Sequence, residues 1–159
     1  MLRAILIALM MFAAAPASAD KCDDAYSAYQ RKDYSTAVRL FQDLAEQGNA
    51  NAQYNLGNLY RTGQGAPQDY AEAARWYRLS AKQGDAEAQN NLGYMYGKGE
   101  GVLQDNTTAH MWYNIASANG NAMGGESREI AAKKMTPAGI SEAQRRARVC
   151  MNSNYQDCD

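Results

Sequence analysis

The chain has 159 residues, with 16 Lys or Arg against 17 Asp or Glu and a formal net charge of −1. That balance removes any bulk electrostatic case for nucleic acid. With three prolines and no low-complexity tract, the composition is that of one folded domain with a sizeable core, and disorder is excluded.

The chain opens with Arg3, an apolar run over residues 4–15 and the small residues Ala17-Ser18-Ala19. This pattern predicts a secretory signal peptide over residues 1–19, cleaved after Ala19 and too short for a comfortable membrane span. Cleavage leaves 140 residues (159 − 19) and 15 basic against 17 acidic groups once Arg3 is gone, a charge of −2. Asp20 and Lys21 separate the small residues from Cys22, so the leader lacks the cysteine that a lipid anchor needs. No later segment is apolar enough to cross a bilayer. The expectation is a soluble bacterial protein, exported to the periplasm or secreted.

Residues 20–48 read as a helix pair around Ala25, Tyr26, Ala28 and Tyr29, then Ala37, Phe41 and Ala45. Two longer units follow, over residues 49–84 and 85–120, and they repeat each other with a period of 36 residues and no gap. Gln53 meets Gln89, Leu56-Gly57 meets Leu92-Gly93, Tyr60 meets Tyr96, Ala73 meets Ala109, and Trp76-Tyr77 meets Trp112-Tyr113. A fixed period of this size marks stacked supersecondary units. In each unit the apolar spacing predicts two helices, about 50–60 and 70–82 in the first. Gly63 and Gly65 end the first helix, Asp69 caps the second and Gly84 ends it. Gly99, Gly101, Asp105 and Gly120 repeat these devices. Gly57 and Gly93 stand inside helices, where glycine costs roughly 1 kcal/mol relative to alanine. The expected reason is close approach of the second helix, with Ala73 and Ala109 across the contact. Trp76 and Trp112 are expected to be core, filling the gap towards the next helix. In residues 121–159 the period fades. One helix is predicted over 126–134 and another over 141–151, with Thr136 as N-cap and Pro137 at the first helical position. They read as a terminal capping pair with a tail. The basic residues Lys133, Lys134, Arg145, Arg146 and Arg148 read as its solvated face.

The fold class is therefore all-α: a short α-solenoid, which offers an extended surface to a partner. Such a stack keeps the chain ends apart, so Cys22 is out of reach of the other two cysteines. The expected disulfide is Cys150–Cys158, leaving Cys22 free or available for a homodimer.

These units resemble the Sel-one-like repeat family, a relative of the tetratricopeptide repeat, with the pattern A-x-A-Q-x-x-L-G-x-x-Y-x-x-G-x-G-V-x-x-D-x-x-x-A-x-x-W-Y-x-x-A-A-x-x-G. Residues 86–120 match it nearly throughout. Residues 50–84 depart only at Ala66 and Ser80, and the first unit looks more like a tetratricopeptide repeat. The resemblance implies an adaptor or scaffold whose first helices line a concave groove. Carried over by position, the groove residues are Asn51, Tyr54, Asn58 and Arg61, then Glu87, Asn90, Tyr94 and Gly97, with Tyr26 and Tyr29 extending the row. Phenols and amides offer both donors and acceptors to a polypeptide or a glycan. Asn55 and Asn91 are expected to bond neighbouring backbone.

His110 is the single histidine. Without HxxxH or CxxC spacing it makes no metal site, and it has no carboxylate partner in a catalytic pattern. The Gly-x-Gly pairs follow helices and lack the phosphate-loop lysine. The expected function is a non-enzymatic protein- or peptide-binding module of the cell envelope, with no cofactor and no metal. An effector that binds a host protein is one alternative. Another is an envelope hydrolase acting on β-lactams, an activity with which some cysteine-rich members of the resembled family are labelled.

Overall fold

The computed structural model describes residues 17–158, and every regular element among them is an α-helix. They are α1 (Ala17–Gln30), α2 (Tyr34–Glu46), α3 (Ala50–Thr62), α4 (Tyr70–Ala81), α5 (Ala86–Lys98), α6 (Asn106–Ala118), α7 (Gly124–Ala132) and α8 (Pro137–Asn152). The apolar run expected as a leader lies outside the described residues, and Ala17-Ser18-Ala19 forms the first turn of α1. No described helix is long and apolar enough to cross a membrane.

Each helix from α1 to α6 packs on the next, which makes a solenoid of helix pairs. The helix starts are set by short polar side chains. Asp33, Asp69 and Asp105 cap the second helix of successive pairs, each accepting from backbone N–H groups of the first turn. Asn49 and Asp85 do the same for α3 and α5. Thr136 accepts from the Gly139 N–H, with Pro137 opening α8.

A buried glutamine stitches each pair to the one before. Gln53 Nε2 donates to the Ala45 carbonyl at 3.0 Å, and Gln89 Nε2 donates to the Ala81 carbonyl at 3.0 Å. Their Oε1 atoms accept in turn from Gln83 at 2.8 Å and Asn119 at 2.9 Å. The Ala45 and Ala81 carbonyls also accept from the Gly48 and Gly84 N–H groups at 3.0 Å, so each glutamine adds a second bond at a helix end and buries its own amide fully paired, where an unpaired one costs about 1–3 kcal/mol.

Two kinds of glycine fix the spacing. A Cβ at Gly57 would sit 2.8 Å from the Tyr77 ring, and one at Gly93 would sit 2.9 Å from the Tyr113 ring and 3.2 Å from the Ala109 carbonyl. The close approach expected at these positions is therefore to a tyrosine ring, not chiefly to Ala73 and Ala109. The tyrosine ring occupies the space that a side chain at either position would need. Gly65 and Gly101 have φ of +77° and +70°, and a Cβ on either would lie 2.2 Å from a carbonyl oxygen of the preceding pair, Tyr34 O or Tyr70 O. The second glycine of each loop thus serves the contact between pairs as well as the turn. The first pair has no such loop, and it turns through Lys32 at a positive φ of 62°.

The tryptophans face backwards along the stack. Trp76 is 4% exposed and clusters with Ala37, Phe41, Leu44 and Leu56, so it closes the core of the preceding pair and not a gap towards the next. Trp112 clusters with Ala74 and Tyr77 of the preceding pair, with Leu92 and Met95 of α5 in its own pair, and also with Ala143 and Ala147 of α8. The C-terminal helices differ from the expected capping pair. Both α7 and α8 pack on α6, in preference to each other. Gly124 allows this at the start of α7, since a Cβ there would lie 2.7 Å from Ser117 N. The Cys150–Cys158 disulfide, with Cα atoms 4.5 Å apart, holds the tail against the end of α8. Tyr155 then reaches back to donate to Asn119 Oδ1 at 3.0 Å.

Candidate interaction face

Helices α3 and α5 carry the residues expected to line the groove, and Tyr77 of α4 organises those of α3. The Tyr77 hydroxyl donates to Asn58 Oδ1 at 2.7 Å and accepts from Arg61 Nε at 3.2 Å. The Tyr54 ring centroid lies 6.0 Å away, tilted by 44°. Burial pushes the Tyr77 phenol up to about 12, against the opposing pull of the Arg61 hydrogen bond and charge. The neutral hydroxyl is therefore the form present at any physiological pH. Arg61 and Asn58 are held by a buried group and are not free to adapt to a guest.

The row extends towards the N-terminus. Asn55 Nδ2 donates to the Asn51 carbonyl at 2.7 Å and to the Tyr26 hydroxyl at 3.1 Å, so it ties α3 to α1 as well as bonding its own helix. Tyr26 also stacks edge-on against Phe41, with centroids 5.4 Å apart. Tyr29 makes a similar edge contact with Tyr34 at 5.5 Å. Asn91 lies near the Tyr77 phenol and slightly offsets the rise in its pKa. Asn51 and Glu87 are exposed at the start of their helices. Asn90 differs from its counterpart Tyr54: its Oδ1 is buried without a partner.

At the third pair the same place is open. A cavity of about 240 Å³ lies between α5, α6 and α7, lined among others by Tyr94, Gly97, Lys98, Tyr113, Ile130 and Lys134. Tyr113 is the counterpart of Tyr77, and burial, then the neighbouring Tyr94, raises its phenol to about 12 as well. Its hydroxyl has no hydrogen-bond partner among the described residues, because Tyr94 and Gly97 stand where Asn58 and Arg61 stand one pair earlier. Sequence reasoning named Tyr94 and Gly97 as groove positions. It does not give Ile130, since α7 falls outside the clear period; Lys134 is read with the basic C-terminal face and Tyr113 as core, so neither is placed at this site. The 36-residue step from Lys98 to Lys134 and from Tyr94 to Ile130 was the available signal.

The remaining candidates are packed away from this face. His110 is 2% exposed, and its Nδ1 has no hydrogen-bond partner. Burial, then the Arg128 charge, lowers its pKa despite the opposing effect of Glu129. It is a core residue of α6, out of reach of a substrate. Among the described residues no group of His, Cys, Asp or Glu is placed to hold a metal ion. Cys22 is free and half-buried, its Sγ 3.8 Å from Asn49 Nδ2. In the basic C-terminal region Arg145 pairs with Glu142 at 2.7 Å, and Arg146 donates to the Thr108 hydroxyl at 3.1 Å.

Stacked helix pairs with a glycine-spaced tyrosine contact and a glutamine stitch define an α-solenoid of interaction repeats. The Sel1 repeat family model matches three consecutive segments, residues 25–49, 50–85 and 86–121, and the chain belongs to that family. The first, shorter unit is thus matched along with the other two. Repeats of this family generally mediate protein–protein interactions, and its members are typically non-catalytic scaffolds. Among solved structures, the chain resembles a protective antigen of uropathogenic Escherichia coli with an SLR fold. The two are 29% identical, with a TM-score of 0.81, over 87% of this chain and 31% of that one. A Sel1 repeat protein from Oxalobacter formigenes is 26% identical with a TM-score of 0.69, over 89% of this chain and 59% of that one. The chain therefore spans about a third of the first relative and under two thirds of the second. No curated protein matches it in sequence.

Proposed function

We propose that the chain is a non-enzymatic interaction module of the bacterial cell envelope, exported by its N-terminal leader, which holds a segment of a protein partner across the α3–α5 face. The observation that carries this reading is the row Tyr26, Tyr54, Asn58, Arg61 and Tyr94. Tyr26 and Tyr94 are 39% and 40% exposed, while the groups between them are braced by Tyr77. Exposed tyrosines on a rigid helix offer large contact area and a polar tip at little entropic cost, which is why interfaces are rich in them. Asn51 and Glu87 extend the polar rim. The leader pattern and the intact Cys150–Cys158 disulfide both suit an oxidising compartment. Likeness to a chain described as a protective antigen supports export as well.

The test is photo-cross-linking in cells, with a photoreactive residue at Tyr94 and, as control, at Gln144 on the outward side of α8. A discrete adduct from Tyr94 that is absent from Gln144 is the expected result, and it identifies the partner. Equal adducts from both sites, or none from Tyr94, would mean that this face is not the interface.

A further inference from the structure

We infer that the cavity between α5, α6 and α7 is the specificity pocket of this face and takes an acidic side chain of the partner, its aliphatic part against Tyr94 and Ile130 and its carboxylate between Lys98, Lys134 and the Tyr113 hydroxyl. This rests on the α3–α5 face being the interface.

Three observations converge on the pocket. First, the same volume one repeat earlier is filled from within: Arg61 and Asn58 both bond the Tyr77 hydroxyl there. At the third pair those positions are Gly97 and Tyr94, so the equivalent hydroxyl of Tyr113 faces the space with no internal partner among the described residues. Second, Gly97 is not a packing glycine. A Cβ on it would lie 3.7 Å from Ala109 Cβ and 3.9 Å from the Tyr113 hydroxyl, ordinary contacts, whereas Gly57 and Gly93 each face a tyrosine ring at under 3 Å. Its effect is to leave the hole open. Third, the lining has one sign of charge. Lys98 and Lys134 both line the cavity and no carboxylate does. Neither lysine forms an ion pair among the described residues, and Lys98 makes only a distant contact with the Tyr94 ring, 5.9 Å to its centroid.

The charge decides between the two guests that the internal comparison allows. A partner arginine could imitate Arg61, but it would enter between two lysines with no counter-ion. A carboxylate meets two ammonium groups and a phenol donor, and its bonds are charge-assisted. At about 240 Å³ the cavity is below the usual range for drug-sized ligands and suits one side chain of a longer segment. The apolar wall from Tyr94, Ile130 and Ala131 favours the longer stem of glutamate over that of aspartate.

The experiment is selection of phage-displayed random dodecapeptides on the purified chain. The best binder is then synthesised with a fluorophore and measured by fluorescence polarisation. Selected peptides are expected to share a glutamate or aspartate next to an apolar residue. Changing that residue to Gln in the peptide, or Gly97→Arg in the protein, is expected to weaken binding at least tenfold. The double change Lys98→Glu with Lys134→Glu should transfer the preference to Lys or Arg, and it keeps the question open to test if Gly97→Arg does not fold. Binders with no acidic residue in common would overturn the pocket. So would binders that lose affinity on Tyr54→Ala but ignore Gly97→Arg and the double change, and these would leave the interaction face standing. A library that yields no binder at all overturns both.

Discussion

The second and third helix pairs are built on the same frame, yet one has its face closed and the other open. Both have the glutamine stitch, the glycine under a tyrosine ring, the two loop glycines and the backward-facing tryptophan. They differ in what surrounds the central tyrosine. Tyr77 is bonded by two side chains of its own pair, whereas Tyr113 looks into a cavity. A repeat protein thus keeps its stacking residues in register and varies the positions that stacking does not use. The frame is shared because each pair meets only its neighbours, and the same contact must recur.

The largest effect should come from breaking the frame where the two pairs differ in their surroundings. Trp112→Ala is expected to cost about 3–5 kcal/mol. Because Trp112 touches α8 as well as the preceding pair, hydrogen exchange should quicken across α8. Trp76→Ala should instead loosen α1 and α2 and leave α8 protected. Uniform loosening in both variants would show that the stack unfolds as one unit.

Next in size is the glycine that joins pairs. Gly101→Ala places a methyl group against Tyr70 O at a positive φ and should cost roughly 3 kcal/mol by chemical denaturation. At Gly120 the φ is also positive, +91°, but nothing lies within 4 Å, so Gly120→Ala should cost only about 1–2 kcal/mol. Equal costs would mean that the turn alone, without the contact between pairs, requires glycine.

The tyrosines test the comparison directly. Tyr77→Phe removes a hydroxyl with two partners and leaves Asn58 and Arg61 partly buried, a loss of about 1–2 kcal/mol. Tyr113→Phe removes a hydroxyl without an internal partner and should change stability by only about a few tenths of a kcal/mol. If both cost the same, the third pair is closed in solution. The smallest effect has the opposite sign: Gly97→Ala should stabilise the protein by up to about 1 kcal/mol, since α5 gains a better helix former and nothing obstructs the methyl group. The same change at Gly93 should destabilise it.

Composition of the face was partly readable before any coordinates. Tyr54, Asn58, Arg61 and Tyr94 were placed by position within the repeat, and α3 does bring the first three together around Tyr77. What the repeat did not give was the partner of each polar group. Asn55 reaches across to Tyr26, and Gly57 faces Tyr77 and not Ala73. A period fixes which positions are equivalent, but not how far a neighbouring helix approaches. The α7 wall of the cavity was missed because only the spacing of its lysine and isoleucine, not the motif, persists beyond residue 120.

By itself the sequence determined the helix pairs, their caps, their order and the Cys150–Cys158 bridge, because apolar spacing, capping oxygens, glycine and short-range closure act over a few residues. Only the tertiary structure decided that the tryptophans close the preceding pair, that α7 and α8 both pack on α6, and that one central tyrosine is bonded while its repeat lies open. Those outcomes depend on distances between elements far apart in the chain, and such distances are set by the packed volume of every side chain between them.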